Sequence, residues 1–329
     1  MELGWGDGLP LIPPTPARVE MMLGGTTRNP DEIVGVVLPR GGEASVRDIA
    51  VNAVLAGCLP EYLPVLIAAL EATLDPAFNL NGVNTTGHNC CPLIIVSGPV
   101  VKRLDINAGM GLFGPGWRAN ATIGRALHLC MVNIGGAAIP SVDRAVHAHP
   151  GKYTYCIGED ADFGPWSKLN QDYGFAADES MVLVLPAEAP YAICGRVEPG
   201  GGKHILYAMA DSCLGLGLGK SVWLAGEMLV VFSPSHAQLL FDEGWTKTQI
   251  QQYLFDHARH SVRELSQLPL YETRRDWPSW IDEKDPDAMV PIVERPDQFV
   301  IMATPGGNVI SSLVPTWGLA RGAFRKVGA

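Results

Sequence analysis

The chain has 329 residues, which is enough to bury a large core, so one large domain or two packed domains are expected. Apolar residues make up 47% of the chain and charged residues 18%, a composition that excludes an intrinsically disordered protein. The net charge of −10, with no basic stripe along the sequence, argues against a nucleic-acid partner.

The first residues, the apolar runs and the cysteines of a sequence indicate the compartment in which the protein is found. Residues 1–16 contain no basic region followed by an apolar stretch, so no secretory signal is predicted. Apolar runs such as 222–232 are interrupted by Glu227 and fall short of the ~18 uncharged residues of a membrane helix. Seven cysteines, an odd number, predict free thiols in a reducing compartment. We therefore expect a soluble cytoplasmic protein with no membrane partner.

The first part of the chain predicts an arm, three helices and a strand. Glycine and proline dominate residues 4–16, which indicates an ordered arm, and Pro16 begins a short helix through Leu23. Apolar residues at helical spacing predict a helix over 45–57 and a second one over 60–75. The β-branched run within 92–99 then predicts a buried strand.

The later elements alternate between helices and strands, which predicts an α/β fold of mixed sheets layered with helices. Asn120 is predicted to cap a helix that ends at Gly135. The glycine-rich stretch 200–220 is predicted to form either loops at a site or flexible connections. A domain boundary is expected near 200, dividing the chain into 1–200 and 201–329, or else the chain forms one domain. Further strands are predicted at 153–157, 180–185, 191–197, 227–232 and 299–303.

Three of the strands end in the same way. The segments 92–99, 227–234 and 299–306 each contain an apolar strand followed by Ser or Thr and Pro, with Gly beside the Pro in two of them. This pattern indicates repeated strand-turn-helix units, although buried strands with a proline at the end are common enough to recur by chance.

The first candidate site is the segment 84–91, where amide, hydroxyl, imidazole and thiol groups precede the strand. Cys90 or Cys91 is the candidate nucleophile, and His88 is the candidate base, because a nearby imidazole can activate a thiol. The other interpretation is a polar loop with two small buried thiols. Substrate-binding roles are predicted for the residues that open the segment, Asn84, Thr85 and Thr86.

The adjacent cysteines allow more than one chemistry. Neighbouring Cα atoms lie ~3.8 Å apart, below the usual span of a disulfide, so a disulfide between them would be strained. The remaining options are a nucleophile, a redox pair, or soft metal ligands together with His88. A metal would need distant ligands, because the spacing of a structural zinc site is lacking. The candidates for such ligands are His128, His147, His149, Glu159 and Asp160.

The second candidate site is the glycine-bearing loop 113–122, which leads into a helix. Trp117, Arg118 and Asn120 lie at the predicted helix start, where unpaired N–H groups and a guanidinium suit a carboxylate or phosphate. These residues are predicted to bind an anionic substrate. The alternative is a capped helix whose arginine pairs with a carboxylate of the protein itself.

The third group of candidates lies at strand ends. Open α/β sheets bind ligands beyond the carboxyl ends of their strands, which makes Glu159 a candidate acid or base. A solvated surface carboxylate is the alternative interpretation. The same argument predicts that Gly306 and Gly307 form part of a pocket wall, or else only a turn.

Three strings of the sequence carry a resemblance to a known family. GWGDGLPLIPPTPARV, FGPGWRANATIGRAL and PGKYTYCIGED together resemble a poorly characterised bacterial family associated with UGSC selenoprotein-like domains, and the likeness runs nearly end to end. The resemblance implies thiol or selenol chemistry but no established reaction. The Cys/Sec-Gly-Ser-Cys motif of those domains is absent here, so none of their redox residues is assigned to this chain.

The leading hypothesis is a small-molecule enzyme of the lyase, transferase or thiol-redox type. Cys90 or Cys91 would be the reactive thiol, with Arg118 holding a carboxylate of the substrate. One alternative is a metal-dependent hydratase or hydrolase that uses His, Cys and carboxylate ligands. The other is a non-catalytic subunit that binds a soft metal or a thiol-redox partner protein. A homo-oligomer is compatible with each hypothesis.

Overall fold

A computed structural model describes residues 4–328, apart from the side chain of Leu218, and it confirms the α/β fold. No single helix in that range is both long and apolar enough to cross a membrane. The helices are α1 Pro16–Leu23, α2 Val46–Ala56, α3 Leu63–Thr73, α4 Leu80–Thr85, α5 Val100–Arg103, α6 Arg118–Asn133, α7 Leu169–Asp172, α8 Gly202–Trp223, α9 Pro234–Asp242, α10 Lys247–His257 and α11 Val262–Leu265. The strands are β1 Ile33–Val37, β2 Gly42–Ser45, β3 Cys91–Ser97, β4 Cys156–Gly158, β5 Met181–Ala187, β6 Tyr191–Cys194, β7 Met228–Phe232, β8 Arg259–Ser261, β9 Met289–Pro291, β10 Phe299–Ala303, β11 Ile310–Pro315 and β12 Ala323–Lys326.

Local sequence signals explain the helical hairpin that precedes β3. The hydroxyl of Ser45 accepts a hydrogen bond from the N–H of Asp48, and the Asp48 carboxylate accepts one in return, so α2 begins with a capping box. Gly57 ends the helix with φ of 92°, a left-handed conformation that costs glycine little. Both helices predicted over 45–57 and 60–75 are confirmed.

The chain divides into two compact units. Of the described residues, the first contains 4–161, 168–189 and 322–328, and the second contains 162–167 and 190–321. The chain therefore passes between the units after residues 161, 167, 189 and 321, whereas the sequence analysis placed one boundary near 200. Each unit has its own four-stranded sheet.

The two sheets share one layout. The first has the order β12-β5-β3-β4 and the second β6-β11-β7-β10. In each, a buried central strand, β3 or β7, pairs parallel with one neighbour and antiparallel with the other, and the outer strand is antiparallel to that second neighbour. The strand that follows β5 belongs to the second sheet, and the strand that follows β11 belongs to the first. The two sheets therefore share strand order and strand directions, and an origin from repeated strand-turn-helix units stays a prediction.

Two local predictions were wrong. The N-cap of α6 is Trp117, not Asn120. Asn120 lies in the first turn of the helix, and its side chain is buried. The glycine-rich stretch 200–220 is largely the helix α8 rather than loops. At position 217 of this helix a larger residue would clash, because a β-carbon there would lie 2.7 Å from Cγ2 of the buried Ile292. Close packing therefore accounts for a glycine inside the helix.

A pair of glycine substitutions in α8 tests this packing argument. Alanine normally stabilises a helix interior by about 0.5–1 kcal/mol relative to glycine. We expect Gly217→Ala to lower the free energy of unfolding by about 1–3 kcal/mol, since Ile292 is stiff and enclosed. Gly215→Ala is the matched control, because its β-carbon would meet no atom within 4 Å, and it should raise stability. Urea denaturation measures both values, and a stabilising Gly217→Ala would contradict the account.

Candidate functional site

The side chains that open the segment 84–91 are bonded to the backbone of the first unit. The amide of the buried Asn84 donates to the carbonyl of Leu38 at 2.9 Å. The Thr85 hydroxyl donates to the carbonyl of Asn81 at 2.8 Å, and the Thr86 hydroxyl accepts the N–H of His88 at 3.1 Å. These three contacts turn the chain from α4 into β3. Each of these side chains thus has a hydrogen-bond partner within the protein, and a role in substrate binding stays a prediction.

The imidazole and thiol groups of this segment have specific partners. Nε2 of His88 lies 2.9 Å from a carboxylate oxygen of Glu188. Cys90 and Cys91 are buried, and Sγ of Cys91 lies 3.4 Å from Nε2 of His149. The thiol–imidazole contact that the structure shows is therefore with His149, 58 residues further along the chain, rather than with the predicted His88.

Burial keeps both thiols of the pair protonated. Burial raises the pKa of Cys90 to about 12 and also raises the pKa of Cys91, and the charge of Lys152 only partly opposes this effect. The N–H of Gly151 donates to Nδ1 of His149 at 3.2 Å, so Nε2 carries the ring hydrogen, for which the backbone of Ala187 is an acceptor, and the Cys91 sulfur lies 3.4 Å from the same nitrogen. In this tautomer Nε2 has no lone pair available for the proton of the thiol.

A cavity of about 740 Å³ lies in the first unit, within the range of small-molecule sites. Its walls combine imidazoles, two charged side chains and a phenol with apolar and backbone surface. The side chain of Lys152 is buried, whereas Tyr153 and His147 are exposed at the surface. The lining residues are Gly4, Gly6, Asp7, His128, Val132, Ala138, Ile139, His147, Ala148, His149, Pro150, Lys152 and Tyr153.

His128 reaches the cavity from α6. Arg125, His128 and Val132 are spaced by three and four residues, so they share one face of that helix. Burial lowers the pKa of His128 to about 4, and the nearby ammonium of Lys152 lowers it further against the opposing charges of Asp7 and Asp143. The imidazole is therefore neutral at pH 7.

The two charged residues of the cavity wall belong to ion pairs. Nζ of Lys152 lies 2.5 Å from a carboxylate oxygen of Asp143, and both side chains are buried. Arg125 grips the carboxylate of Asp7 with two hydrogen bonds of 2.7 and 2.8 Å. Because each charge has its counter-charge, neither the lysine nor the aspartate of the wall is a buried, uncompensated charge, which is the most costly arrangement.

The predicted segment supports the wall of this cavity. The carbonyl of Gly87 accepts the N–H of Val146 at 3.0 Å, and the side-chain oxygen of Asn89 accepts the N–H of Ala148 at 3.0 Å. Ala148 has φ of 52°, a left-handed conformation that an alanine adopts only with such support. These bonds fix the loop that carries His147 and His149 into the cavity.

At the start of α6, the side chains of Arg118 and Asn120 bond the protein's own backbone, and anion binding there stays a prediction. Nε and Nη2 of Arg118 both donate to the carbonyl of Gly57, at 3.1 and 3.0 Å, and not to a carboxylate. The Asn120 amide bonds the backbone of Asn107 and Cys156 from a buried position. Trp117 caps the helix without a side-chain hydrogen bond. None of these residues lines the cavity described above.

Glu159 is not a solvated surface carboxylate, because it is buried at the end of β4. One of its oxygens accepts the Ser97 hydroxyl at 2.6 Å and the N–H of Leu169 at 2.7 Å. It lies apart from the residues that line the cavity. In the second unit, the N–H of Gly306 bonds the Thr304 hydroxyl at 3.1 Å, and Gly307 has φ of 86°, as in a turn.

The metal hypothesis needs a cluster of ligands. Among residues 4–328, no group of three or more His, Cys, Asp or Glu side chains is placed to hold a metal ion. The set His88, Cys90 and Cys91 therefore does not fit a metal centre in this geometry.

No protein-family model matches the chain, and no curated protein matches it either. The resemblance to the UGSC-associated family accordingly stays a prediction.

Sequence reasoning missed the residues that together make the cavity. His128, His147 and His149 entered only as distant metal ligands, and the Lys152–Asp143 pair did not enter at all. The signals present were the His147-x-His149 spacing and the placement of Arg125 and His128 three residues apart on one helix. Neither signal shows by itself that the residues share a cavity, because the contacts bring together chain segments far apart in sequence.

Alkylation with iodoacetamide at pH 7 tests the state of the thiols. A buried thiol with a pKa near 12 has about a thousandth of the thiolate of an ordinary cysteine, so Cys90 should label very slowly. Cys194 is exposed and is the internal control that should label first. Peptide mapping by mass spectrometry measures both rates. If Cys90 or Cys91 labels as fast as Cys194 in the folded protein, the thiols are not buried as described.

Proposed function

We propose that this chain is an enzyme that removes and returns a proton next to a carbonyl group of a small carboxylate-bearing molecule, bound in the cavity of the first unit. The reaction class is that of a lyase or isomerase. The observation that carries the proposal is the placement of the neutral His128 beside the ammonium of Lys152 at the wall of one cavity of ligand size.

The neutral state of His128 defines its role. An imidazole with a pKa near 4 is a weak base at pH 7, but its N–H is a hydrogen-bond donor that bears no positive charge. Such a donor polarises a substrate carbonyl and stabilises the negative charge that develops on its oxygen during the reaction. His128 would therefore bind the carbonyl oxygen of the substrate.

Lys152 supplies the positive charge of the site. Its ammonium is buried and fixed by Asp143, so it is already oriented before a substrate binds. An ordered cation in a water-poor wall stabilises a developing enolate or holds a carboxylate more strongly than an exposed lysine does. Lys152 lines the cavity whereas Asp143 is not among the lining residues, so this part of the wall favours a substrate that carries negative charge or develops it.

The proton needs an acceptor, and His147 is the lining imidazole exposed at the surface. In the proposed step, His147 takes the proton from the carbon next to the carbonyl. The electron pair of that C–H bond moves into a C=C bond, and the carbonyl electrons move to the oxygen, which becomes an enolate facing His128 and Lys152. Return of the proton from His147 completes an exchange, and loss of a leaving group instead completes an elimination.

The Cys91–His149 contact favours a second candidate, the cysteine-dependent enzyme predicted from the sequence. A distance of 3.4 Å between sulfur and nitrogen is that of a thiol–imidazole pair. The raised pKa of Cys91 and the hydrogen on Nε2 of His149 count against it, because both disfavour a thiolate. In the favoured proposal, Cys91 is a positioning residue that orients the His149 ring.

We further propose a reducing compartment, the cytoplasm, for this protein. All seven cysteines are free thiols, and six of them are buried. An oxidising compartment would favour disulfides in a chain so rich in thiols.

Deuterium exchange tests the proposed reaction. The protein is incubated in D₂O with pyruvate, 2-oxobutyrate and 2-oxoglutarate, and proton NMR follows the hydrogens next to each carbonyl. We expect exchange above the buffer rate for at least one of these probes. His128→Gln should slow that exchange by about a hundredfold or more, because it removes the donor to the carbonyl oxygen.

The other variants separate the two candidates. Lys152→Met combined with Asp143→Leu removes the cation without leaving a buried carboxylate unpaired, and it should also slow exchange by about a hundredfold. Cys91→Ala should leave the rate within about threefold, since it removes only a positioning contact. The proposal is contradicted by the absence of exchange with all three probes. It is also contradicted if Cys91→Ala abolishes an exchange that survives in His128→Gln, which is the result that the thiol enzyme predicts.

A further inference from the structure

The chain segment before α1 forms one wall of the cavity. This arm, residues 4–15, contributes Gly4, Gly6 and Asp7 to the lining. The side chain of Asp7 is only 3% exposed, whereas Trp5 and Leu9 on either side of it are exposed. The arm therefore presents backbone and one carboxylate to the cavity and apolar side chains to the surface.

Two side chains of α6 hold the arm against the cavity. Arg125 donates to both carboxylate oxygens of Asp7, and its Nη2 also lies 3.3 Å from the carbonyl of Leu9. The amide of Asn133 donates to the carbonyl of Trp5 at 3.2 Å. Arg125 is one helical turn from His128, so the attachment point of the arm and the proposed carbonyl-binding residue are neighbours on one helix face.

The glycines and the charged contact of the arm favour a segment that can change position. Gly4 and Gly8 flank Asp7 with φ of 68° and 93°, values that glycine adopts without strain, and a β-carbon at either would meet no atom within 4 Å. The Arg125 bonds hold the pKa of Asp7 below its usual value although burial opposes them. Asp7 is therefore ionised at neutral pH, and the Asp7–Arg125 pair is the charged contact of the attachment, beside the two bonds to the carbonyls of Trp5 and Leu9.

We infer that residues 4–10 are a lid over the cavity, that the Asp7–Arg125 pair is its latch, and that a small molecule enters when the lid lifts. Closing the lid places the backbone of Gly4 and Gly6 against the bound molecule. The inference rests on the proposed function only in taking the cavity as the site.

Chemical labelling of His128 tests the lid without any need for turnover. Diethyl pyrocarbonate at pH 7 modifies unprotonated imidazoles that it can reach, and His128 is unprotonated at that pH. In the native protein we expect slow labelling of His128 relative to His204, an exposed histidine of the second unit that serves as the internal reference. Peptide mapping by mass spectrometry gives both rates in one sample.

Two variants open the latch from opposite sides. Arg125→Lys keeps the positive charge but loses the two-pronged contact, and Asp7→Asn keeps the shape of the carboxylate but loses its charge. Each should raise the labelling rate of His128 by about tenfold, because local opening becomes easier when a charge-assisted pair is lost. Arg47→Met, which removes a half-buried arginine of α2 paired with Glu20, is the matched control and should leave the rate unchanged.

The outcomes are distinct. Faster labelling of His128 in both latch variants, with His204 and the melting temperature little changed, supports the lid. Equal His128 rates in native protein and both variants would overturn it, as would a native rate that already equals that of His204. Because labelling does not depend on a substrate, a lid that behaves as expected in a protein without deuterium exchange would leave the lid in place and reject the proposed reaction.

Discussion

The buried ion pair between Lys152 and Asp143 is the interaction on which the electrostatics of the first unit depend. A lone ammonium at that depth would be costly to desolvate, and its partner at 2.5 Å makes it tolerable. Burial lowers the pKa of the His128 imidazole, and the fixed charge of Lys152 lowers it further; the same charge partly offsets the effect of burial on the pKa of the two adjacent thiols. A cavity with an ordered cation and a neutral donor results, and this combination favours the stabilisation of negative charge that develops in a reaction.

The fold was predictable where the signals are local. The capping box at Ser45, the glycine at 57 and the β-branched run in β3 each specify conformation within a few residues, and these elements are confirmed. The prediction was wrong where tertiary packing overrides propensity. In α8, Gly217 is required by the close approach of Ile292, which lies 75 residues away in the sequence and leaves no local signal. The sheet membership of β6 and β12 likewise leaves no local signal, because each belongs to a different sheet from the strand that precedes it in the chain.

The site was predictable only in part. The segment 84–91 does lie beside the cavity, where Asn89 holds the loop of His147 and His149, but its own thiols are buried and protonated. His128 and Lys152 come from a helix and a loop that the sequence does not connect. The density of reactive residue types pointed to the segment 84–91, which bonds the loop of the cavity wall, while burial and packing determine which side chains line the cavity itself.

The neutrality of His128 is the central claim, and NMR of ¹³C- or ¹⁵N-labelled histidine measures it directly. The account predicts that the His128 ring titrates with a midpoint near pH 4 and that its signals shift when pyruvate is added at pH 7. A midpoint near 6.5, the usual value for histidine, together with signals that ignore the added carboxylate, would contradict both the burial of the ring and its place at the binding site.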